Sequence, residues 1–321
     1  MQTQCGFSVE KARARWRRNR TFVILMHMSK QTRNCDSSQA SFDQESRPLP
    51  ARFARAVRSI PAALNWGTAM GFVSRSYLLT SARIHEDVRI AILSDLHGAC
   101  YGENQCEIIH ALEREKPHVV LLLGDIFDHR GVDEHAKTLV RALSGSFRCY
   151  FIPGNHEYKS GELGSIQDIL KQAQMPILSG DTAEIAVGET RIHIFGIDDA
   201  QGGEQRQQEQ LARAASVRSD SVYSILAIHV PNDVERILPH GFDLMLSGHT
   251  HGGQIVIPRL VNGLYAPGQG VFPKYGGGRY DFSKQTLIIC RGLSQRPLWV
   301  PRLGNPPEIC FVTLSPEETA I

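Results

Sequence analysis

Four short segments place oxygen and nitrogen donors at close spacing: Ser94-Asp95-Leu96-His97, Gly124-Asp125-Ile126-Phe127-Asp128, Gly154-Asn155-His156-Glu157 and Gly248-His249-Thr250-His251. His229 adds a fifth position at the end of the apolar run that begins at Ser224. Together Asp95, His97, Asp125, Asn155, His229, His249 and His251 offer two carboxylates, one amide oxygen and four imidazoles. That hard and borderline mixture suits Mn, Fe, Zn, Co or Ni better than Ca or Mg alone. Two ions ~3.5–4 Å apart need a bridging group. Asp125, mid-sequence in a glycine-preceded turn, is the natural bridge. A metal pair makes water nucleophilic near neutral pH, so hydrolysis at such a centre would need no side-chain nucleophile. Cys100, near the first segment, is accordingly expected to pack, not to react. The residues alone leave His156 open as a further ligand or as a non-ligand.

Each segment is weak evidence by itself: Asp-x-His is common on surfaces, Gly-Asp-x-x-Asp caps helices, and Asn-His-Glu occurs in loops. Their force lies in joint appearance, each just after an apolar strand. In open α/β sheets the carboxyl ends of strands line the ligand crevice, so donors placed there converge. An extended backbone would also send i and i+2 side chains to one side, which predicts that Asp95 and His97 share a direction, as do His249 and His251.

The elements that must do this positioning begin at Val88. Val88–Leu93 and Val119–Leu123 read as buried strands, with a helix over Cys106–Lys116 opened by Asn104 and a capping-box Glu107 between them. Asp133 predicts a helix running to about Leu143, followed by a strand at Cys149–Ile152. This βαβαβ order implies parallel pairing with right-handed crossovers. Further strands are predicted around Ile185–Val187, Arg191–Phe195, Val222–Ile228, Leu244–Leu246, Gln254–Ile257, Thr286–Cys290 and Ile309–Leu314, with a helix over Glu204–Ala214. So many strands with so few helices fit two sheets better than one. Pro258–Gly278, rich in Gly, Pro and aromatics, is a loop of functional length.

Taken as a set, Asp95-x-His97, Gly124-Asp125-x-x-Asp128, Gly154-Asn155-His156-Glu157, His229 and Gly248-His249-Thr250-His251 resemble the calcineurin-like metallophosphoesterase superfamily. The continuation through Gly252-Gly253-Gln254, Asn262 to Gly270 and Lys274-Tyr275 is similar to its bacterial branch of small phosphodiesterase-like proteins. The resemblance runs from about Val88 to Leu314. It implies an α/β fold, a four-layer αββα sandwich of two mixed sheets with a dimetal site at the strand C-terminal ends. It also implies one metal held by Asp95, His97, Asp125 and His251 and the other by Asp125, Asn155, His229 and His249, with Mn, Fe or Zn as the ions. His156 would then stabilise phosphoryl charge or protonate the leaving oxygen, and Asp128 would orient His156 or a metal-bound His. The implied reaction is hydrolysis of a phosphate ester, with a phosphodiester as the expected substrate. Alternatives are a phosphomonoesterase, a nuclease, or a non-catalytic interaction scaffold; the complete ligand set argues against the last.

Among the remaining histidines, His85, His110, His118, His135, His193 and His240 are expected at surfaces or caps, whereas His129, directly after Asp128, can line the pocket. Lys274, Tyr275 and Arg291 are candidate substrate contacts, with Arg279 and Arg296 equally placed. About seventy residues separate Asn155 from His229, too few for a large cap domain. Leu264, Tyr265, Val271, Phe272 and Tyr275 are either loop packing or the lining for a lipid-like or nucleoside group.

The 321 residues carry a formal net charge of only +2, with 35 Lys+Arg against 33 Asp+Glu, so the charge balance gives no support to a nucleic-acid partner. The basic excess sits near the start, from Lys11 to Arg20 and from Arg47 to Arg58. Residues 1–48 have the composition of a disordered basic arm. Residues 49–87 hold an N-terminal helix or interfacial segment, Ile60–Val73, and a lead-in strand before the catalytic domain at 88–316. That basic arm would suit peripheral contact with an anionic membrane. Twin Arg17-Arg18 precede an apolar run too short for a signal-peptide core, and nothing approaches the ~20 apolar residues of a membrane span. Seven scattered cysteines without a CxxC pair favour reduced thiols, and with them a cytoplasmic protein.

Overall fold

Strand β3 (Val119–Leu123) is five consecutive apolar residues, all without solvent exposure. Such a strand must be covered on both faces, which is the situation of a parallel strand inside a layered α/β protein. In the computed structural model, which describes residues 71–257, 259–294 and 302–317, β3 indeed sits between β2 (Val88–Leu93) and β4 (Cys149–Ile152), parallel to both. On the other side of β2 runs antiparallel β13 (Glu308–Pro316), and β1 (Val73–Ser81) closes that edge parallel to β13. The first sheet is therefore mixed, in the order β1-β13-β2-β3-β4.

The second sheet is also mixed. It contains β5 (Thr182–Val187), β6 (Thr190–Ile197), β7 (Tyr223–Ile228), β8 (Leu244–Ser247), β11 (Gly278–Asp281) and β12 (Thr286–Ile289), in the order β11-β12-β8-β7-β6-β5. Its four central strands are parallel, and β5 and β11 are antiparallel edges. In β5 exposed and buried residues alternate, as an edge with one wet face should. Between β8 and β11 in sequence, β9 (Tyr265–Ala266) and β10 (Gly270–Val271) form a small separate hairpin in the long loop.

Three buried clusters define four layers. Ile90, Ile92, Leu121 and Leu123 of the first sheet meet Ile192, Ile194, Ile225 and Leu246 of the second in a shared inter-sheet core. The opposite face of the first sheet, with Ala91, Leu93, Val120 and Phe151, packs on α1 (Cys106–Glu115), α2 (Glu134–Ser144) and α4 (Leu163–Gln172). The outer face of the second sheet, with Phe195, Leu226 and Met245, is covered by α5 (Glu204–Val217) and the short α6 (Val234–Ile237). Each fully buried Leu, Ile or Phe contributes roughly 1.5–3 kcal/mol relative to exposure, so the three clusters hold the αββα sandwich together.

Two local expectations need correction. Asn104 does not cap α1: it has φ 54°, and the residue before the helix is Gln105, itself left-handed and without a side-chain cap bond. The Gln105 side chain is turned inward instead, accepting from Tyr101 N at 2.9 Å and donating to Ala99 O at 2.9 Å. Gln254–Ile257 is not a strand; only isolated bridges, Ile255 with Leu303 and Ile257 with Val261, occur there. Helices α3 (Asn155–Lys159) and α4, along with β11, lack an expectation from sequence. Asp133 does cap α2, accepting from Ala136 N at 2.9 Å. Residues 1–70, including the basic arm, the twin arginines and most of Ile60–Val73, lie outside the described residues. No described helix is long and apolar enough to cross a membrane.

Candidate metal centre

The donor residues all follow the C-terminal ends of strands that run parallel within their own sheet. Asp95 and His97 come after β2, Asp125 after β3, Asn155 at the start of α3 after β4, His229 after β7, and His249 and His251 after β8. Backbone hydrogen bonds tie these ends together: Asp95 N to Gly124 O at 3.0 Å, His97 N to Asp125 O at 3.3 Å, and Gly248 N to His229 O at 2.9 Å.

At the middle stands the Asp125 carboxylate. Its Oδ1 accepts from the His156 N–H at 2.9 Å. Its Oδ2 faces three imidazoles, 3.1 Å from His229 Nε2, 3.6 Å from His97 Nε2 and 3.9 Å from His156 Nε2. Asp95 Oδ1 lies 3.7 Å from His251 Nε2, 3.9 Å from His97 Nε2 and 3.9 Å from His229 Nε2. Both oxygens of Asp95 accept from His249 N at 3.1 Å, and the donor atoms of Asp125, His229 and His249 lie within 4.8 Å of one another. Asn155 is buried, and the N–H of the next residue, His156, is the one bound to Asp125.

Position came by a different route than an extended chain. Asp95, His97, Asp125, His249 and His251 have φ of 51°, 46°, 54°, 69° and 47°, all in the left-handed region. Non-glycine residues there are uncommon and cluster at functional sites. The i and i+2 pairs do converge, but through tight left-handed turns, so the strand-alternation argument for them is corrected. Gly124 shows the same crowding: at φ 75° a side-chain Cβ would stand 2.5 Å from His229 Nδ1.

The electrostatics fit a cation pair. His229 Nδ1 is 2.7 Å from Leu123 O, so it carries a proton and Nε2 presents a lone pair towards Asp125 Oδ2. Both buried atoms lack a hydrogen bond among the described residues. Two lone pairs facing at 3.1 Å repel unless a positive charge lies between or beside them. Burial alone would lower the His229 pKa, but Asp125 and Asp95 outweigh it and hold it well above the usual value, which is the pull the two carboxylates exert on any cation at this point. Burial would likewise raise Asp125, yet His229, His156 and His97 hold it well below the carboxylate range. Burial, with the neighbouring Asp125, raises Asp95. Burial pushes His97 down to about 3 and, with His97 and Arg302 nearby, takes His251 well below its ordinary value. Neutral imidazoles, as burial favours at His97 and His251, beside carboxylates held close together are what metal ligands need.

The pattern of this centre invites comparison with known sequences, and the sequence model of the calcineurin-like phosphoesterases matches residues 88–253, more than half of the chain. The chain belongs to the calcineurin-like phosphoesterase family. A metallophosphoesterase of Bacillus subtilis is 28% identical over 236 residues, covering 70% of this chain and 78% of that one. One from Aquifex aeolicus is 30% identical over 242 residues, covering 71% and 85%. One from Campylobacter jejuni is 30% identical over 239 residues, covering 72% of this chain and 60% of its own length. As a calcineurin-like phosphoesterase the chain is a dinuclear, metal-dependent phosphoester hydrolase of α/β fold.

Other candidates of the calcineurin-like phosphoesterase site fall in different places. Asp128 Oδ1 lies 2.7 Å from His129 Nδ1, and Arg130 Nη2 is 3.2 Å from its Oδ2. Burial would raise Asp128, but His97 and the Arg130 N–H hold it below the usual carboxylate value. His129 in turn donates its backbone N–H to His156 Nδ1 at 3.1 Å, and the Asp128, His129 and His156 donor atoms form one cluster within 4.8 Å. Lys274 and Tyr275 engage Glu235 of α6: Lys274 pairs with it, and Tyr275 Oη lies 3.1 Å from Oε1 while its ring packs on Tyr280 and Phe282. Arg291 donates to Asn305 and Asn262 at 3.2 Å each, next to Gly292, whose Cβ would meet Asp95. Arg279 pairs with Asp281, and Arg296 lies outside the described residues.

Two residues of the site carry weight that the sequence reading did not assign. Glu157, fully buried, accepts from Asp125 N at 2.9 Å, Phe127 N at 3.1 Å and Gly154 N at 2.8 Å, pinning the second and third donor loops together. Burial, then Asp125, push it up to about 7, against the pull of His229 and the N–H donors. Its place directly after His156 was a signal in plain view. Arg302, also buried, donates to Arg291 O at 2.8 Å and lies 3.5 Å from His251 Nδ1. An isolated Arg in a loop offered no sequence signal.

Proposed function

We propose that the chain hydrolyses a phosphodiester, with Asp95, His97, Asp125 and His251 holding one ion and Asp125, Asn155, His229 and His249 the other. The observation that carries the reading is the Asp125 carboxylate, whose Oδ1 is anchored by a backbone N–H while Oδ2 faces three imidazoles within 3.9 Å. Two divalent ions, of the Mn, Fe or Zn class that this donor set suits, supply Lewis acidity and render water nucleophilic near neutral pH.

The chain's own residues handle orientation and protons. His156 Nδ1 accepts from the His129 backbone N–H, so the ring proton resides on Nε2, the nitrogen facing Asp125. That places a proton donor beside the reacting phosphoryl group, suited to stabilise its charge or to protonate the leaving oxygen. Asp128, at 2.7 Å from His129 Nδ1, braces the ring next to His156. The diester preference rests on space. Residues 155–229 are spent on α3, α4, β5, β6 and α5 of the sandwich, which leaves no cap domain, and His156 stands partly exposed at the rim. Val271 and Phe272, both exposed on the long loop, offer apolar surface to a bulky or lipid-like ester group.

Protein reloaded with Mn is expected to cleave bis-p-nitrophenyl phosphate faster than p-nitrophenyl phosphate. Asp125→Asn and His156→Ala should both lose that activity, and only Asp125→Asn should also lose metal. Preference for the monoester would overturn the diester reading, and equal rates in all three proteins would overturn the site.

A further inference from the structure

We propose that Cys290, Glu308 and Cys310 form a second cation site, selective for a thiophilic divalent ion of the zinc class and separate from the oxygen and nitrogen centre. Their donor atoms all lie within 4.8 Å of one another, and all three residues are fully buried. Sulfur sits ~2.3 Å from a bound zinc, so ligand atoms around one ion are up to roughly 4 Å apart. Only a small contraction separates the cluster from that arrangement.

The three donors come from both sheets. Cys290 directly follows β12, whereas Glu308 and Cys310 lie on β13, so an ion would staple the two sheets together. A fourth donor is near. The register pairs Arg75 with Cys310 and Tyr77 with Val312, which makes Tyr77 and Cys310 diagonal neighbours on the face turned to the inter-sheet core. The buried Tyr77 hydroxyl has no hydrogen-bond partner among the described residues.

Charge allows it. Glu308 Oε2 is 2.8 Å from Arg75 Nε and 3.6 Å from Arg291 Nε, and Cys310 Sγ is 3.3 Å from Oε1. Both cysteines are free thiols. Burial, then Cys290 and Glu308, raise the Cys310 thiol, so it keeps its proton until an ion displaces it. Binding exchanges two thiol protons for one divalent ion: two S–H bonds break, two metal–sulfur bonds form, and two protons leave to solvent. The net charge of the buried cluster is unchanged, so no uncompensated charge enters the core. Thiolates also select against the hard ions that carboxylates and imidazoles accept.

The distinguishing readout is sulfur, which the catalytic centre does not contain. Full-chain protein produced in cadmium-supplemented cells should show a thiolate-to-cadmium charge-transfer band in the ultraviolet and one bound equivalent tied to it. Cys290→Ala and Cys310→Ala should each abolish the band, since alanine is a tolerable small replacement for a buried thiol. Cys149→Ala should keep it, as should Asp125→Asn, which separates failure of this site from failure of the catalytic one. A wild-type protein without the band, a band that survives both substitutions, or a Cys290–Cys310 disulfide found by mass mapping would each overturn the proposal.

Discussion

Five donors in left-handed backbone cost the fold about 1–2 kcal/mol each relative to relaxed turns, and the surroundings must hold them there. Glu157 is the clearest restraint at the residue scale. One carboxylate gathers the N–H groups of Asp125, Phe127 and Gly154, which fixes the turn that aims Asp125. In Glu157→Gln one of the two oxygens becomes an NH2 group facing N–H donors, leaving at least one buried donor unpaired. The expected loss is about 1–3 kcal/mol of stability, read as a lower melting temperature, together with weaker metal retention on dialysis although no ligand has been touched. Unchanged melting and metal content would remove Glu157 from this role. The donors themselves were legible in the sequence because metal chemistry restricts residue type: Asp, His and Asn recur in short motifs. Arg302 and the bracing by His129 were less so, because their partners are distant backbone atoms or depend on ring orientation.

At the level of elements, legibility followed burial. Strands β2, β3, β7 and β12, buried along nearly their whole length, read as apolar runs, and the parallel order of β2, β3 and β4 followed from the helices between them. Marginal elements escaped: β11 alternates on an edge, and α3 begins inside a ligand motif whose polar residues disguise it. Asn104 illustrates how a tertiary partner overrides a local signal, since burying the Gln105 amide among Tyr101 and Ala99 outcompetes a capping box. Where no such rival exists, as at Asp133, the cap forms. Helix α2 carries no ligand and packs on the outer face of the first sheet. Asp133→Ala should therefore cost ~1 kcal/mol by denaturant titration while kcat/KM and metal content stay at the wild-type level. A drop in kcat/KM without a drop in stability would show that α2 communicates with the site.

For the whole molecule, the centre is a junction: loops from β2, β3 and β4 of one sheet meet loops from β7 and β8 of the other around two buried carboxylates. Without ions, the Asp95 and Asp125 carboxylates have only the protons that buried groups such as His229 can hold to offset them, and burial itself opposes charge on every one of these groups. Divalent ions replace those protons with a charge that both sheets bind at once. Ligand that binds only the folded state stabilises it by about 2.7 kcal/mol at a hundredfold excess over Kd. With roughly 2–4 °C per kcal/mol for a domain of this size, chelation should lower the melting temperature by roughly 5–10 °C. Readdition of Mn should restore it. Asp125→Asn, lacking the shared carboxylate, should melt near the chelated protein and respond little to either treatment. Coincident melting of loaded and chelated wild-type protein would mean that the two sheets are held at this end by packing alone, and that the converged donors do not grip a cation.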